Sequence, residues 1–96
     1  MMPTITEFKS SLSLSKPLAG LSVYLVALWY DGKGDWQTAH NQVDDLEELT
    51  ACWVHAYLHR KEGDLWNADY WYRKAHKTRP NISLNEEWNQ IAAALL

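Results

Sequence analysis

The sequence predicts an all-α fold: two antiparallel helical hairpins followed by a C-terminal helix that caps the stack. Three observations predict it. Apolar residues recur at helical spacing along the chain, with no convincing strand alternation. Glycines close the apolar runs, and Asp or Ser opens the next ones, as helix stops and caps do. Finally, "KGDWQTAH" (33–40) is followed 29 positions later by "EGDLWNAD" (62–69), each straight after an apolar, aromatic run.

The elements follow in order. Residues 1–15, "MMPTITEFKSSLSLS", have weak periodicity and many Ser and Thr, and are expected to be a flexible arm anchored by Ile5 and Phe8. A single domain, 16–96, follows. Its first hairpin, 17–45, opens with a helix that has Ser15 as N-cap, Pro17 in its first turn, and Gly32 and Gly34 at its end. Leu18, Leu21, Leu25, Leu28 and Trp29 recur at helical spacing there. The other face is also apolar, so this helix is expected to pack on more than one side. Asp35 caps a short second helix.

The second hairpin, 46–80, starts with a helix from about Leu46 to Glu62. Acids in its first turn and basic residues in its last complement the helix dipole. Gly63 stops it, Asp64 caps the next helix, and Pro80 closes that one off. Ser83 and Glu86 form a capping box that opens the capping helix, 83–95.

Sliding residues 23–46 against 52–75 places Ala27 on Ala56, Gly34 on Gly63, Asp35 on Asp64 and Ala39 on Ala68. Each match has a physical reason. Glycine takes the left-handed conformation at a helix end, Asp accepts from the free N–H groups of the next helix, and Ala lets two backbones approach. One such hairpin cannot bury its own apolar face, so the two must stack.

The stretch "HAYLHRKEGDLWNADYWYRKAHKTRP" resembles a tetratricopeptide repeat, with its Gly-Asp turn, Ala68, Tyr72, Ala75 and closing Pro80. Val26, Ala27, Tyr30, Gly34 and Ala39 repeat the pattern in the first copy, and the resemblance spans roughly residues 20–80. The period is 29, shorter than the family's, and His55 and His59 stand where the family has Leu and Tyr. "WVHAYLHRKEGD…YWYRKA" also resembles a group of small uncharacterised bacterial proteins. The tetratricopeptide resemblance implies an inner groove lined by Tyr24, Leu28, Trp53, Tyr57 and Arg60, able to take a peptide or helix. Alternatively the C-terminal helix, with Trp88, Ile91 and Leu95, fills that groove, and a partner surface lies around Trp66, Tyr70 and Trp71.

Composition narrows the function. Six Trp and five Tyr in 96 residues exceed what a small core needs, and such rings serve both burial and binding. Cys52 is the single cysteine, so no internal disulfide forms, which favours a cytoplasmic location. The longest uncharged apolar stretch, Pro17 to Tyr30, is 14 residues, too short to cross a bilayer. No membrane partner is expected. The net charge of −3 hides an asymmetry: Asp31, Asp35, Asp44, Asp45, Glu47 and Glu48 face Lys33 alone, while Arg73, Lys74, Lys77 and Arg79 cluster without an acid. Such a dipole can orient a partner or a second copy.

The sharpest chemical cluster is Glu48, Cys52, His55 and His59, at steps of four, three and four on one helix face. Thiolate, imidazole and carboxylate are ligands for zinc or a similar ion. The same positions face the partner helix in the hairpin, where Cys packs as a small hydrophobe and His bonds to backbone or carboxylate. Both readings stand on the sequence. "YWYRKAHKTR" mixes rings with bases, but the acidic chain and the core positions of Tyr72 and Ala75 argue against nucleic acid. No phosphate loop, metalloprotease motif or nucleophile elbow is present, so neither an enzyme nor a cofactor is expected. The expected function is a non-catalytic protein-interaction or self-association module. The alternative is a protein binding a metal or small ligand through the Cys/His face.

Overall fold

The computed structural model describes residues 2–96, which form six α-helices and, among the described residues, no strand. Residues 5–13 of the segment expected as a flexible arm are instead helical; residue 1 of that segment lies outside the described residues. Helix α1 (Ile5–Ser10) opens with a capping box in which Thr4 and Glu7 exchange side-chain-to-backbone bonds. Its Phe8 is fully buried and stacks on Trp88 at 5.6 Å between ring centres. A 3-10 turn (Ser11–Ser13) follows, and the Trp29 indole N–H donates to the Ser11 carbonyl at 3.2 Å. Lys33 Nζ donates to the carbonyls of Leu12 (2.7 Å) and Leu14 (2.9 Å), pinning the segment down. One buried ring and a good cap outweigh the polar composition.

Helix α2 (Val23–Gly32) begins later than Ser15 and Pro17 indicated, and Ser22 is its N-cap. Gly20 sits at φ +82, and together with Pro17 it puts two helix breakers within four residues of an otherwise apolar run. Gly32 is the last residue of the helix. A Cβ there would meet Leu12 at 3.0 Å and Trp88 at 3.4 Å, so its role is close approach between the two ends of the chain. Helix α3 (Trp36–Val43) is capped by Asp35. Helix α4 (Leu49–Glu62) starts three residues later than expected, with Glu48 as N-cap. The acids therefore lie in the connection and not in its first turn, while His59, Arg60 and Lys61 occupy the last. Helix α5 (Leu65–Lys74) stops well short of Pro80, with His76 in the left-handed region at φ 60. Helix α6 (Leu84–Leu95) opens with the Ser83–Glu86 capping box.

The two Gly-Asp turns have matching geometry. Gly34 and Gly63 lie at φ +84 and +90. Asp35 accepts from Thr38 N–H at 3.1 Å and Asp64 from Asn67 N–H at 3.2 Å. Helix α2 packs on α3, α4 packs on α5, and both α2 and α3 meet α4. Helix α6 lies against α2 and α4 and touches α1. Leu25, Leu28, Trp29, Val43, Val54, Leu58 and Ile91 fill the shared core.

Two carboxylates are buried with it. Asp31, at 2% exposure, accepts from Tyr57 OH (2.9 Å) and Lys61 Nζ (2.8 Å). Glu87, at 1%, accepts from Tyr72 OH (2.7 Å) and Arg60 Nη1 (2.8 Å). Asp31 is thus no part of the acidic surface to which the sequence assigned it.

Candidate functional site

The strongest concentration of free chemistry lies where α3, α4 and α5 meet. Two histidines come from α4: His55 and His59, one turn apart and therefore on the same side of the helix. The third, His40, comes from α3. Packing sets its direction. Trp36, also on α3, donates its indole N–H to the Leu58 carbonyl of α4 at 2.7 Å and stacks on His40 at 4.8 Å. Trp71 of α5 stacks on His55 at 3.9 Å with planes 21° apart.

One ligand-capable nitrogen from each of the three imidazoles lies within 4.8 Å of the others. His40 Nε2 and His55 Nε2 are 3.0 Å apart, so one carries the proton and the other accepts it. His59 Nδ1 donates to Glu62 Oε1 at 2.5 Å. His40 Nδ1 lies 3.9 Å from Asp44 Oδ2, an electrostatic neighbour at that distance and not a hydrogen bond. His55 Nδ1 is buried and has no protein partner. An unsatisfied buried polar atom costs about 1–3 kcal/mol, so His55 Nδ1 is an energetic liability to the fold.

Burial, and then the neighbouring His40 and His59, push the His55 pKa down to about 3. Burial also lowers His40, reinforced by His59 and opposed by Asp44 and Glu62. Near neutral pH both rings are uncharged, which is the state that offers a nitrogen lone pair. The arrangement can relay a proton between rings or donate several nitrogens to one electrophile.

The structure separates the four residues that the sequence grouped as a metal face. His55 and His59 belong to the cluster. Cys52 is buried, its thiol donating toward the Glu47 carbonyl at 3.6 Å, and burial raises its pKa. Glu48 stands at the N-cap position of α4 without a side-chain capping bond and accepts from Tyr24 OH at 2.8 Å. Neither joins the histidines. His40 was missed, and the signal for it was present: whatever faces His55 and His59 on the preceding helix should be polar.

The residues expected to line an inner groove are taken up by the fold itself. Leu28 and Tyr57 are buried beneath α6, Trp88 donates its indole N–H to the Leu28 carbonyl at 3.0 Å, and Arg60 is engaged by Glu87 and the Ile82 carbonyl. Tyr24 and Trp53 pack partly buried against the same core. A concavity of about 490 Å³ remains over Asp31, Tyr57, Lys61 and Trp88, where Asp31 is already bonded to Tyr57 and Lys61. Of the residues expected at a partner surface, Trp66 is 79% exposed and Tyr70 41%, while Trp71 is turned to His55. Compared with protein-family models, curated proteins and solved structures, the chain matches none. Among the described residues, no helix is long and apolar enough to cross a membrane.

Proposed function

We propose that the chain is a non-catalytic interaction module, built of two tetratricopeptide-like hairpins (α2–α3 and α4–α5) closed by α6. It binds a protein partner or a second copy of itself through the outer face of α5. The matching Gly-Asp turns and the pairwise packing of consecutive helices support the hairpin reading.

The observation that carries the functional reading is Trp66. Its indole is the most exposed large apolar side chain of the molecule's described residues, and Tyr70 one turn on and Leu65 beside it are exposed too. Leaving a Trp in water forgoes the burial that a small domain most needs, and Trp and Tyr dominate the energetics of protein interfaces. Lys74 Nζ lies over the Tyr70 and Trp71 rings at 5.6 and 4.6 Å, giving the patch a cationic rim. With the residues expected to line an inner groove taken up by the fold itself, this outer face is the aromatic surface left for association.

Sedimentation equilibrium over a wide concentration range, together with affinity capture from the host, tests the reading. A Trp66→Ala, Tyr70→Ala double variant should weaken association by roughly 30-fold or more, as loss of an interface hot spot does. Its helical circular dichroism should be unchanged. A strictly monomeric wild type that captures no partner dismisses the proposal.

A further inference from the structure

We propose that His40, His55 and His59 form a binding site for one divalent transition-metal ion, with zinc the best match. The inference is independent of the α5 surface.

Convergence is the first argument. Nitrogens around a tetrahedral zinc, bound at about 2.0–2.1 Å, sit roughly 3.3 Å from one another. His40 Nε2 and His55 Nε2 are already 3.0 Å apart, and all three rings offer a nitrogen within 4.8 Å. Binding would draw the wider of these separations in from at most 4.8 Å.

The second argument is the outer shell. A metal-bound histidine characteristically gives its other N–H to a carboxylate, which fixes the tautomer and aims the free nitrogen. Glu62 does this for His59 Nδ1, and Asp44 stands near His40 Nδ1. Both leave Nε2 free of carboxylate, and that of His40 faces His55. Trp36 and Trp71, stacked on His40 and His55, hold the ring planes.

The third argument is what a purely structural cluster would look like. Buried histidines that serve packing spend both nitrogens on backbone or carboxylate groups, whereas His55 spends neither: one nitrogen meets another imidazole and the other has no partner. Donor chemistry then selects the ion. Three imidazoles suit zinc, copper or nickel and are poor ligands for calcium or magnesium, which demand oxygen. Three protein ligands leave one position for water or an external ligand, on the side of His40, whose side chain keeps 18% exposure.

The test uses the full chain without an affinity tag, titrated with zinc chloride by calorimetry and with cobalt chloride by visible absorption. One ion should bind per chain, with the intense bands of four-coordinate cobalt and no thiolate charge-transfer band. His40→Ala, the change at the least buried ligand, should abolish binding. Should that variant fail to fold, Glu62→Gln decides, since loss of an outer-shell carboxylate should weaken affinity by about 10- to 100-fold. Cys52→Ser and His76→Gly should bind as the wild type does. No stoichiometric binding, unchanged affinity in His40→Ala or Glu62→Gln, or loss in Cys52→Ser would each overturn the site.

Discussion

On one side of α4, Tyr57, Arg60 and Lys61 meet the buried carboxylates of Asp31 and Glu87; on the other, His55 and His59 meet His40. Both clusters bury polar groups in a small domain, yet they are completed differently. Each carboxylate receives a tyrosine hydroxyl and a cation, so charge and hydrogen bonds balance within the protein. The histidine side is left short, with a buried nitrogen that nothing in the protein answers. A network finished internally holds the fold, and one left unfinished is available to something from outside.

Breaking each side in turn sharpens that contrast. Glu87→Ala strands Arg60 and the Tyr72 hydroxyl, and should cost about 3–5 kcal/mol in urea denaturation, the usual penalty for breaking a buried ion pair. Phe8→Ala, which removes the ring stacked on Trp88, should cost a similar amount, about 3–5 kcal/mol. A loss under about 1 kcal/mol there would return the N-terminal segment to the status of a loose arm. His55→Leu should behave otherwise. It deletes an unsatisfied polar group at nearly the same volume, so metal-free stability should change by less than about 1.5 kcal/mol while metal binding disappears.

The two sides should also separate by pH. Burial and the carboxylates beside them raise the Tyr57 and Tyr72 pKa values well above the ordinary range. Above about pH 10 the unfolded chain releases these protons while the folded chain retains them, so stability falls as pH rises. His55 acts in the opposite sense. Its folded pKa of about 3 lies below its unfolded value of 6.5, so the unfolded state binds the extra proton and stability falls as pH drops through that window. Melting temperatures of the metal-free protein should decline on both flanks, and His55→Leu should flatten the acid flank alone. The smallest effect is expected at His76, whose φ of 60 suits glycine: His76→Gly should raise stability by about 1 kcal/mol.

Much of the helical layout was legible because caps and stops are local. Asp35, Asp64 and the Ser83–Glu86 box act where the sequence placed them, and Gly34 and Gly63 adopt the left-handed turn. The beginning of α2 was misplaced because apolar periodicity continued through Pro17 and Gly20, whose backbone preferences decide the matter. The candidate site was half visible. His55 and His59 share a helix face, so their spacing reveals them. His40 lies 15 residues away and joins them only when α3 packs on α4. Cys52 sits nearby in sequence, but packing spends it on the α4 entrance. Asp31 and Glu87 were hidden for the same reason, since a carboxylate's burial depends on partners 15 to 30 residues distant.

The most direct test is anomalous diffraction at the zinc edge from crystals of the untagged protein grown with zinc chloride. One strong peak should appear among α3, α4 and α5, about 2.0–2.1 Å from a nitrogen of each of His40, His55 and His59. A peak on Cys52, a peak held only by the exposed Glu62 and Asp64, or no peak near the three histidines would contradict the proposed site.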